Sequence, residues 1–362
     1  MSPLSDLGLR RYPDDPRDPF RAWDAADEYL LGELGRLGGP HGTVVVFGDR
    51  WGALVTALAE HRPVQITDSY LTQRATRANL DRLGLPEATL LSTQDAPPAR
   101  IDTLLVRIPK SLALLEDQLI RLAPAVHEGT VILGAGMVKE IHTSTLALFE
   151  KILGPTRTSL AVKKARLIFT EPRPTPVASR FPVTYTHEGL DLVNHAGVFC
   201  ADRLDIGTRF FLKHLPATVK GQRVVDLGCG NGIVGAFVLR DNPDAEVLFV
   251  DESYAAVASA RANAPGPAGF LVGDGLADAE PGSADLVLCN PPFHSHQAVT
   301  DATAWRMFTQ AKRALRPGGE LRIVGNRHLG YHVKLKRLFG EVTVVAGDPK
   351  FVVLSAVRRG PR

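Results

Sequence analysis

Asn290-Pro291-Pro292-Phe293 is the stretch of this chain best suited to chemistry. An asparagine side-chain carbonyl followed by a proline backbone carbonyl offers two acceptors side by side, and each can take one N–H of a planar amine. Such an amine on a purine is a poor nucleophile, because its lone pair is delocalised into the ring. Held by Asn290 and Pro291, the lone pair is aimed at an electrophile. Pro291 disfavours the helical conformation at Asn290 and presets an extended one. Pro292 stiffens the turn, and Phe293 offers an aromatic face for a base. The expected chemistry is positioning plus electrostatics in an in-line transfer, with no strong general base.

A second constellation lies upstream. Asp226-Leu227-Gly228-Cys229-Gly230-Asn231-Gly232 reads as a strand end, a glycine-rich turn and a helix start. Such glycines let backbone approach a ligand and adopt positive φ. A turn of this kind also serves dinucleotides, but Asp226 would repel a pyrophosphate and suits the cationic ammonium of S-adenosylmethionine. Asp251 ends the next strand, where a carboxylate accepts ribose hydroxyls. Asp274, after the third strand, is placed to accept from the adenine amine. The expected cofactor set is therefore Asp226, Gly228, Gly230, Asp251, Asp274 and Asn290, with S-adenosylmethionine as methyl donor.

These residues need strand tips to stand on, and the second half of the chain supplies them. Strands are expected at 223–227, 246–251, 270–272, 284–290 and 320–324, and helices near 233–240, 254–264 and 302–315. Strand–helix alternation means a parallel sheet with helices on both faces. Two β-rich runs, 341–346 and 351–357, are joined by only Gly347-Asp348-Pro349-Lys350, which permits an antiparallel hairpin and forbids a parallel crossover. A parallel sheet closed by such a hairpin separates class I methyltransferases from dinucleotide dehydrogenases.

The first half repeats this frame without its polar residues. Val44 to Gly48 matches Val224 to Gly228, Ile66 to Tyr70 matches Val250 to Tyr254, and Leu105 to Lys110 matches Val287 to Pro292. Val46 then stands for Asp226, Arg50 for Gly230, Thr67 for Asp251 (with Asp68 beside it), Ile108 for Asn290 and Lys110 for Pro292. A proline-rich stretch from Glu171 to Pro182 reads as an extended linker. The fold expected is α/β: two tandem class I (Rossmann-like) methyltransferase domains, each a seven-stranded sheet with a terminal antiparallel hairpin. Residues 1–178 form a degenerate, RNA-binding copy that takes no cofactor, and 179–362 the catalytic one.

Composition agrees with two folded domains: 362 residues, 44% apolar and 22% charged. No run approaches the ~18 apolar residues of a membrane span, and Met1 to Phe20 lacks a signal-peptide core, so a cytoplasmic address is expected. Cys200, Cys229 and Cys289 show no C-x-x-C spacing and read as small buried residues. His294, His296 and His328 lack acidic neighbours in sequence, so no metal is expected. Net charge is only +3, yet between Lys151 and Arg180 seven basic residues face Glu171 alone, and between Arg306 and Arg337 nine face Glu320 alone. Two such runs favour a polyanionic partner, with Arg107 and Lys110 expected to join the first run on phosphates.

Asn290 to His294 resembles the Asn-Pro-Pro-Phe-His of the tandem-domain ribosomal RNA guanine-N2 methyltransferases, and other segments point to their large-subunit (23S) branch. These are Gly197-Val198-Phe199 with Leu204 to Gly207, Thr300-Asp301 with Ala304-Trp305, Asn326 to Leu329, and Lys350 to Leu354. The resemblance covers essentially all of 191–358 and is architectural over the first half; Cys200 departs from the family's serine. It implies methylation of a guanine N2 amine in 23S ribosomal RNA, with Phe199, Asp205 and Arg209 folding over the pocket; a monomer is expected. Alternatives with related chemistry are a small-subunit 16S guanine, an adenine N6 or a protein glutamine amide. A nicotinamide dehydrogenase would need a loop without Asp226, and a purely RNA-binding protein would not need the intact second site.

Overall fold

A computed structural model describes residues 3–14, 18–219, 221–292 and 297–360. The chain folds as two units, Met1–Phe181 and Pro182–Arg362. The first contains α1 (Pro3–Asp6), α2 (Ala25–Arg36), β1 (Val44–Phe47), α3 (Ala53–Ala57), β2 (Val64–Thr67), α4 (Tyr70–Leu83) and β3 (Thr89–Ser92). It continues with β4 (Ile101–Arg107), α5 (Leu112–Leu122), β5 (Val126–Met137), α6 (Thr143–Ile152), β6 (Thr156–Thr158) and β7 (Ala165–Thr170). Its seven strands lie in the order β3-β2-β1-β4-β5-β7-β6.

The second unit opens with a separate two-stranded hairpin, β8 (Val183–His187) and β9 (Leu190–Asn194), and then α7 (Ile206–Leu212). There follow β10 (Arg223–Leu227), α8 (Ile233–Asp241), β11 (Glu246–Asp251), α9 (Tyr254–Asn263), β12 (Gly269–Val272) and β13 (Ala284–Cys289). The remainder is α10 (Gln297–Ala314), β14 (Leu315–Asn326), α11 (Tyr331–Phe339), β15 (Thr343–Gly347) and β16 (Phe351–Val357). The order β12-β11-β10-β13-β14-β16-β15 repeats that of the first unit strand for strand. In both, the last hairpin inserts its second strand antiparallel between the fifth and sixth, here β16 between β14 and β15.

Central strands are apolar on both faces because helices cover both, as parallel sheets require. In the second unit α7, α8 and α9 bury Phe211, Phe237 and Ala260 against one face, while α10 and α11 bury Phe308 and Leu335 against the other. Two departures from the sequence reading have simple causes. β14 begins at Leu315 rather than Glu320, because Gly318 N–H and Arg358 N–H bond across to Arg358 and Gly319 carbonyls and carry the pairing through Pro317-Gly318-Gly319. The hairpin β8–β9 and helix α7 were not foreseen, since both are short and lie before the first apolar strand. Among the described residues, no helix is long and apolar enough to cross a membrane. All three cysteines are free; Cys229 and Cys289 are buried and Cys200 half-buried.

Candidate active site

The carboxyl ends of β10, β11, β13 and β14, neighbours in the sheet, carry most of the residues singled out from sequence. In open α/β sheets this is where ligands bind. Gly228, Gly230 and Gly232 all adopt positive φ, at +72°, +54° and +79°. Their roles differ. A Cβ at Gly232 would lie 2.7 Å from that of Ala260, so this glycine lets α8 pack on α9. A Cβ at Gly230 would meet nothing within 4 Å, so this glycine opens a cradle.

Asp251 holds that cradle in shape. Its Oδ2 accepts from Gly230 N–H at 2.9 Å and its Oδ1 from Ser253 N–H at 2.9 Å. Burial pushes its pKa up while these donors pull it down. Asp226 is more deeply set, 2% exposed, with Oδ2 accepting from Gly235 N–H at 2.9 Å. Burial first, and then the nearby Asp251 charge, push its carboxyl up to about 7. Asp274 is committed on one oxygen to Arg306, 3.2 Å away.

The loop is clamped from the unforeseen hairpin. Asn231 Nδ2 donates to Asn194 Oδ1 at 2.9 Å and to Tyr185 Oη at 3.1 Å. Asn263 Nδ2 in turn donates to the Asn231 carbonyl at 2.8 Å. Asn194 ends β9 and Asn263 ends α9, so two elements fix one loop residue.

Asn290 follows directly on β13. Its Nδ2 donates to Thr208 Oγ1 at 2.9 Å, and its Oδ1 is buried without a hydrogen-bond partner among the described residues. Buried polar atoms left unpaired are uncommon and costly, so such an atom is a mark of function or strain. Asn326, ending β14, carries a second buried acceptor of this kind, Oδ1. Cys289 pairs with Ile323, so the register carried on by one sets Asn290 beside Val324. Side chains alternate along a strand, and Asn326 therefore shares the face of Val324 and Asn290. Neither Thr208 nor the acceptor on Asn326 was read from sequence. The Asp205-x-x-Thr208 spacing ahead of Phe210-Phe211-Leu212 was the available signal, since an aspartate N-cap accepts from the residue three on.

Asp205 is the N-cap of α7, taking Thr208 N–H at 3.0 Å. Phe199 keeps 50% of its surface exposed and so is not core. Phe293, His294 and His296 lie outside the described residues.

The first unit has the same frame with its corresponding space filled. Arg50, at the Gly230 position, bonds Glu140 at 2.7 Å and Asp24 at 3.3 Å. Arg107, at the end of β4, donates through Nε to Asp27 at 2.6 Å, through Nη2 to Asp24 at 2.9 Å and through Nη1 to the Ala135 carbonyl at 2.8 Å. It is wholly buried. The expectation that Arg107 meets phosphates is therefore wrong: the chain turns it inward onto carboxylates. Asp49 accepts from Ala53 and Val55 N–H in the first turn of α3, and burial pushes its carboxyl up to about 7. Asp68, beside Thr67, accepts from Thr93 Oγ1 at 2.7 Å.

The two basic runs differ. In the first, Lys151, Arg157, Lys163, Lys164, Arg173 and Arg180 are exposed, although Lys163, Arg173 and Arg180 face Glu28, Glu171 and Glu116. In the second, several cations are structural. Arg313 donates to the Leu276 and Ala279 carbonyls, Arg322 to Glu320 and the His214 carbonyl, and Arg316 pairs with Asp285.

Two family models match the chain. The RLMG N-terminal domain matches residues 1–174 and the methyltransferase small domain residues 189–355. The chain is 67% identical over 374 aligned positions to ribosomal RNA large subunit methyltransferase G of Streptomyces coelicolor, with 99% of each chain covered. It is 50% identical to the protein of that name from Stutzerimonas stutzeri, covering 99% of this chain and 98% of the relative. Among solved structures it is similar in fold to the T. thermophilus 16S rRNA N2 methyltransferase RsmC in complex with AdoMet and guanosine. That likeness has a TM-score of 0.80 at 24% identity over 97% of this chain and 96% of the other.

Proposed function

The chain belongs to the ribosomal RNA large subunit methyltransferase G family, and on that premise we propose that it methylates the N2 amine of a guanine in 23S ribosomal RNA. It is an S-adenosylmethionine-dependent enzyme, and the second unit is its catalytic half. The observation that carries the choice of an amine is the Oδ1 of Asn290, buried and without a hydrogen-bond partner among the described residues. A hydrogen-bond donor must satisfy it when substrate arrives, and an exocyclic amine is such a donor.

The residues at the strand tips fit the cofactor. Gly230 leaves an open cradle, which a side chain would fill. Gly228 and Gly230 would receive the ligand, Asp251 its ribose and Asp274 its adenine amine. Asp226, a buried carboxyl, would be drawn into its charged form by a neighbouring ammonium. When bound, S-adenosylmethionine supplies an electrophilic methyl on a sulfonium. Asn290 Oδ1 and the Pro291 carbonyl would each accept a hydrogen bond from one amine N–H and so turn the lone pair outward. Neither needs to accept a full charge, so the work of the chain is orientation.

Asn326 supports guanine over adenine. The guanine edge beside N2 carries a second donor, N1–H, where the adenine edge beside N6 carries an acceptor. Two carbonyl oxygens on adjacent strand tips, both without a hydrogen-bond partner among the described residues, suit a donor–donor edge. The first unit, whose equivalent space is filled by Arg50 and Arg107, takes no cofactor and presents exposed cations to RNA phosphates. The protein acts on RNA in the cytoplasm as a monomer without metal. Nucleoside mass spectrometry of ribosomal RNA from cells lacking the protein tests this reading. One N2-methylguanosine should vanish from 23S RNA; its persistence, or loss from 16S RNA instead, would overturn the assignment.

A further inference from the structure

A carboxamide is nearly symmetric in shape, and only one of its two orientations is useful here. With oxygen toward the cleft, Asn290 accepts an amine proton. Turned over, it presents two donors to a donor and repels the substrate. Something must choose between the two.

Among the described residues, Thr208 is the one hydrogen-bond partner of the Asn290 side chain, through Nδ2 at 2.9 Å. Its hydroxyl has one proton and can also accept. Asp205 Oδ2 lies 3.4 Å from Thr208 Oγ1 and 3.0 Å from Thr208 N. An ionised carboxylate only accepts, so the hydroxyl proton points to Asp205. The Thr208 lone pair then faces Asn290, demands N–H there, and sends Oδ1 to the other side, where it is buried and unpartnered. The opposite orientation would need the same proton twice.

We infer that Thr208 and Asp205 are positioning residues, a relay that fixes which end of the Asn290 amide faces the substrate. This rests on the proposed amine-transfer reading. The local fold is built for it. Gly207, between the pair, admits no side chain without pressure: a Cβ would sit 3.0 Å from both Asp205 Oδ2 and the Phe351 ring. Phe211, on the same helix, is fully buried and anchors α7 to the sheet. The first unit uses the same geometry with other chemistry. The N-cap of α2 is Asp24, and its third residue, Asp27, reaches the end of β4 and meets Arg107. In both units, then, the helix before the first strand reaches the tip of the fourth.

The test is methylation of 23S RNA from cells lacking the protein, by the full-length chain, comparing wild type with Thr208→Val, Thr208→Ser and Asn290→Ala. Thr208→Val keeps the shape and removes the hydroxyl. Its kcat should fall by about tenfold to a hundredfold, the loss expected for one orienting hydrogen bond. The cofactor Kd and RNA KM should stay within about threefold of wild type, because the effect lies in the chemical step. Thr208→Ser, which restores the relay, should recover kcat to within about threefold of wild type by the same reasoning. If Thr208→Val does not fold, Thr208→Ala replaces it with the same expectation. Wild-type kcat without the hydroxyl would overturn the relay, as would a parallel loss of cofactor affinity or failure of serine to rescue. If Asn290→Ala is also fully active, the amine-transfer reading itself falls; if only the Thr208 variants are active, that reading stands and the relay does not.

Discussion

At the scale of single residues, the site is a set of polar atoms held under tension with their surroundings. Asp226 has its carboxyl raised from 3.8 to about 7 by burial. An acid with a raised native pKa takes up a proton on folding, so it lowers stability progressively as pH rises from its unfolded to its folded value. Asp226→Asn keeps an acceptor for Gly235 N–H without the charge. Its melting temperature should exceed that of wild type, by a margin that grows between pH 4 and pH 7 and levels off above, while cofactor affinity drops. A margin independent of pH in thermal scans would show that the carboxyl is not buried in solution. Asn326 makes a sharper case for substrate choice. RNA carrying 2-aminopurine at the target keeps the N2 amine but lacks N1–H. Wild type should prefer guanine over it by about tenfold or more, as sites that lose a hydrogen-bonding partner discriminate strongly. Asn326→Leu should lose most of that preference in competition assays, and retained preference would remove Asn326 from base recognition.

At the scale of elements, most of the frame was legible and most of the clamps were not. Strands β10, β11 and β13 announce themselves as short apolar runs that carry Asp226 and Asp251 near their ends and lead into Asn290, because a parallel strand covered on both faces tolerates little else. The final hairpin followed from a link too short for a crossover. What sequence could not give was long-range partnership. Asn194 and Asn231 are 37 residues apart, and Thr208 and Asn290 are 82; nothing local marks either pair. Arg107 was misjudged for the same reason, since a cation reads as a surface residue until its carboxylates, 80 residues away, are in view. The hairpin clamp carries its own prediction. Asn194 is fully buried, and Asn194→Leu would leave Asn231 short of an acceptor. Unfolding in denaturant should show a loss of about 1–3 kcal/mol, the cost of a stranded buried donor, together with weaker cofactor binding. Unchanged cofactor affinity would mean that the loop holds its shape without the hairpin.

At the scale of the whole molecule, two copies of one topology have been given different contents. The full chain should bind one S-adenosylmethionine in titration calorimetry, because Arg50 and Arg107 occupy the first unit's equivalent space. A second site of similar affinity would end that view. Binding to RNA should weaken with salt, and charge reversal at exposed Lys110, Lys151 and Lys164 should flatten the dependence by roughly 0.7 in log–log slope for each phosphate no longer neutralised. An unaltered slope would move the RNA footprint off the first unit.

The ion network of the first unit also limits how the chain can change. Arg107 is wholly buried against Asp24 and Asp27, and Arg50 ties Asp24 to Glu140. Removing Arg107 would strand the buried Asp27, typically at about 3–5 kcal/mol, a large share of what keeps a domain folded, whereas the half-exposed Arg50 pairs contribute less. Arg50→Gly would leave Glu140 without its ion pair, and a change at Arg107 would leave two aspartates. Any change toward a second cofactor site must therefore alter several of these residues together, because no single substitution leaves the remaining charges paired.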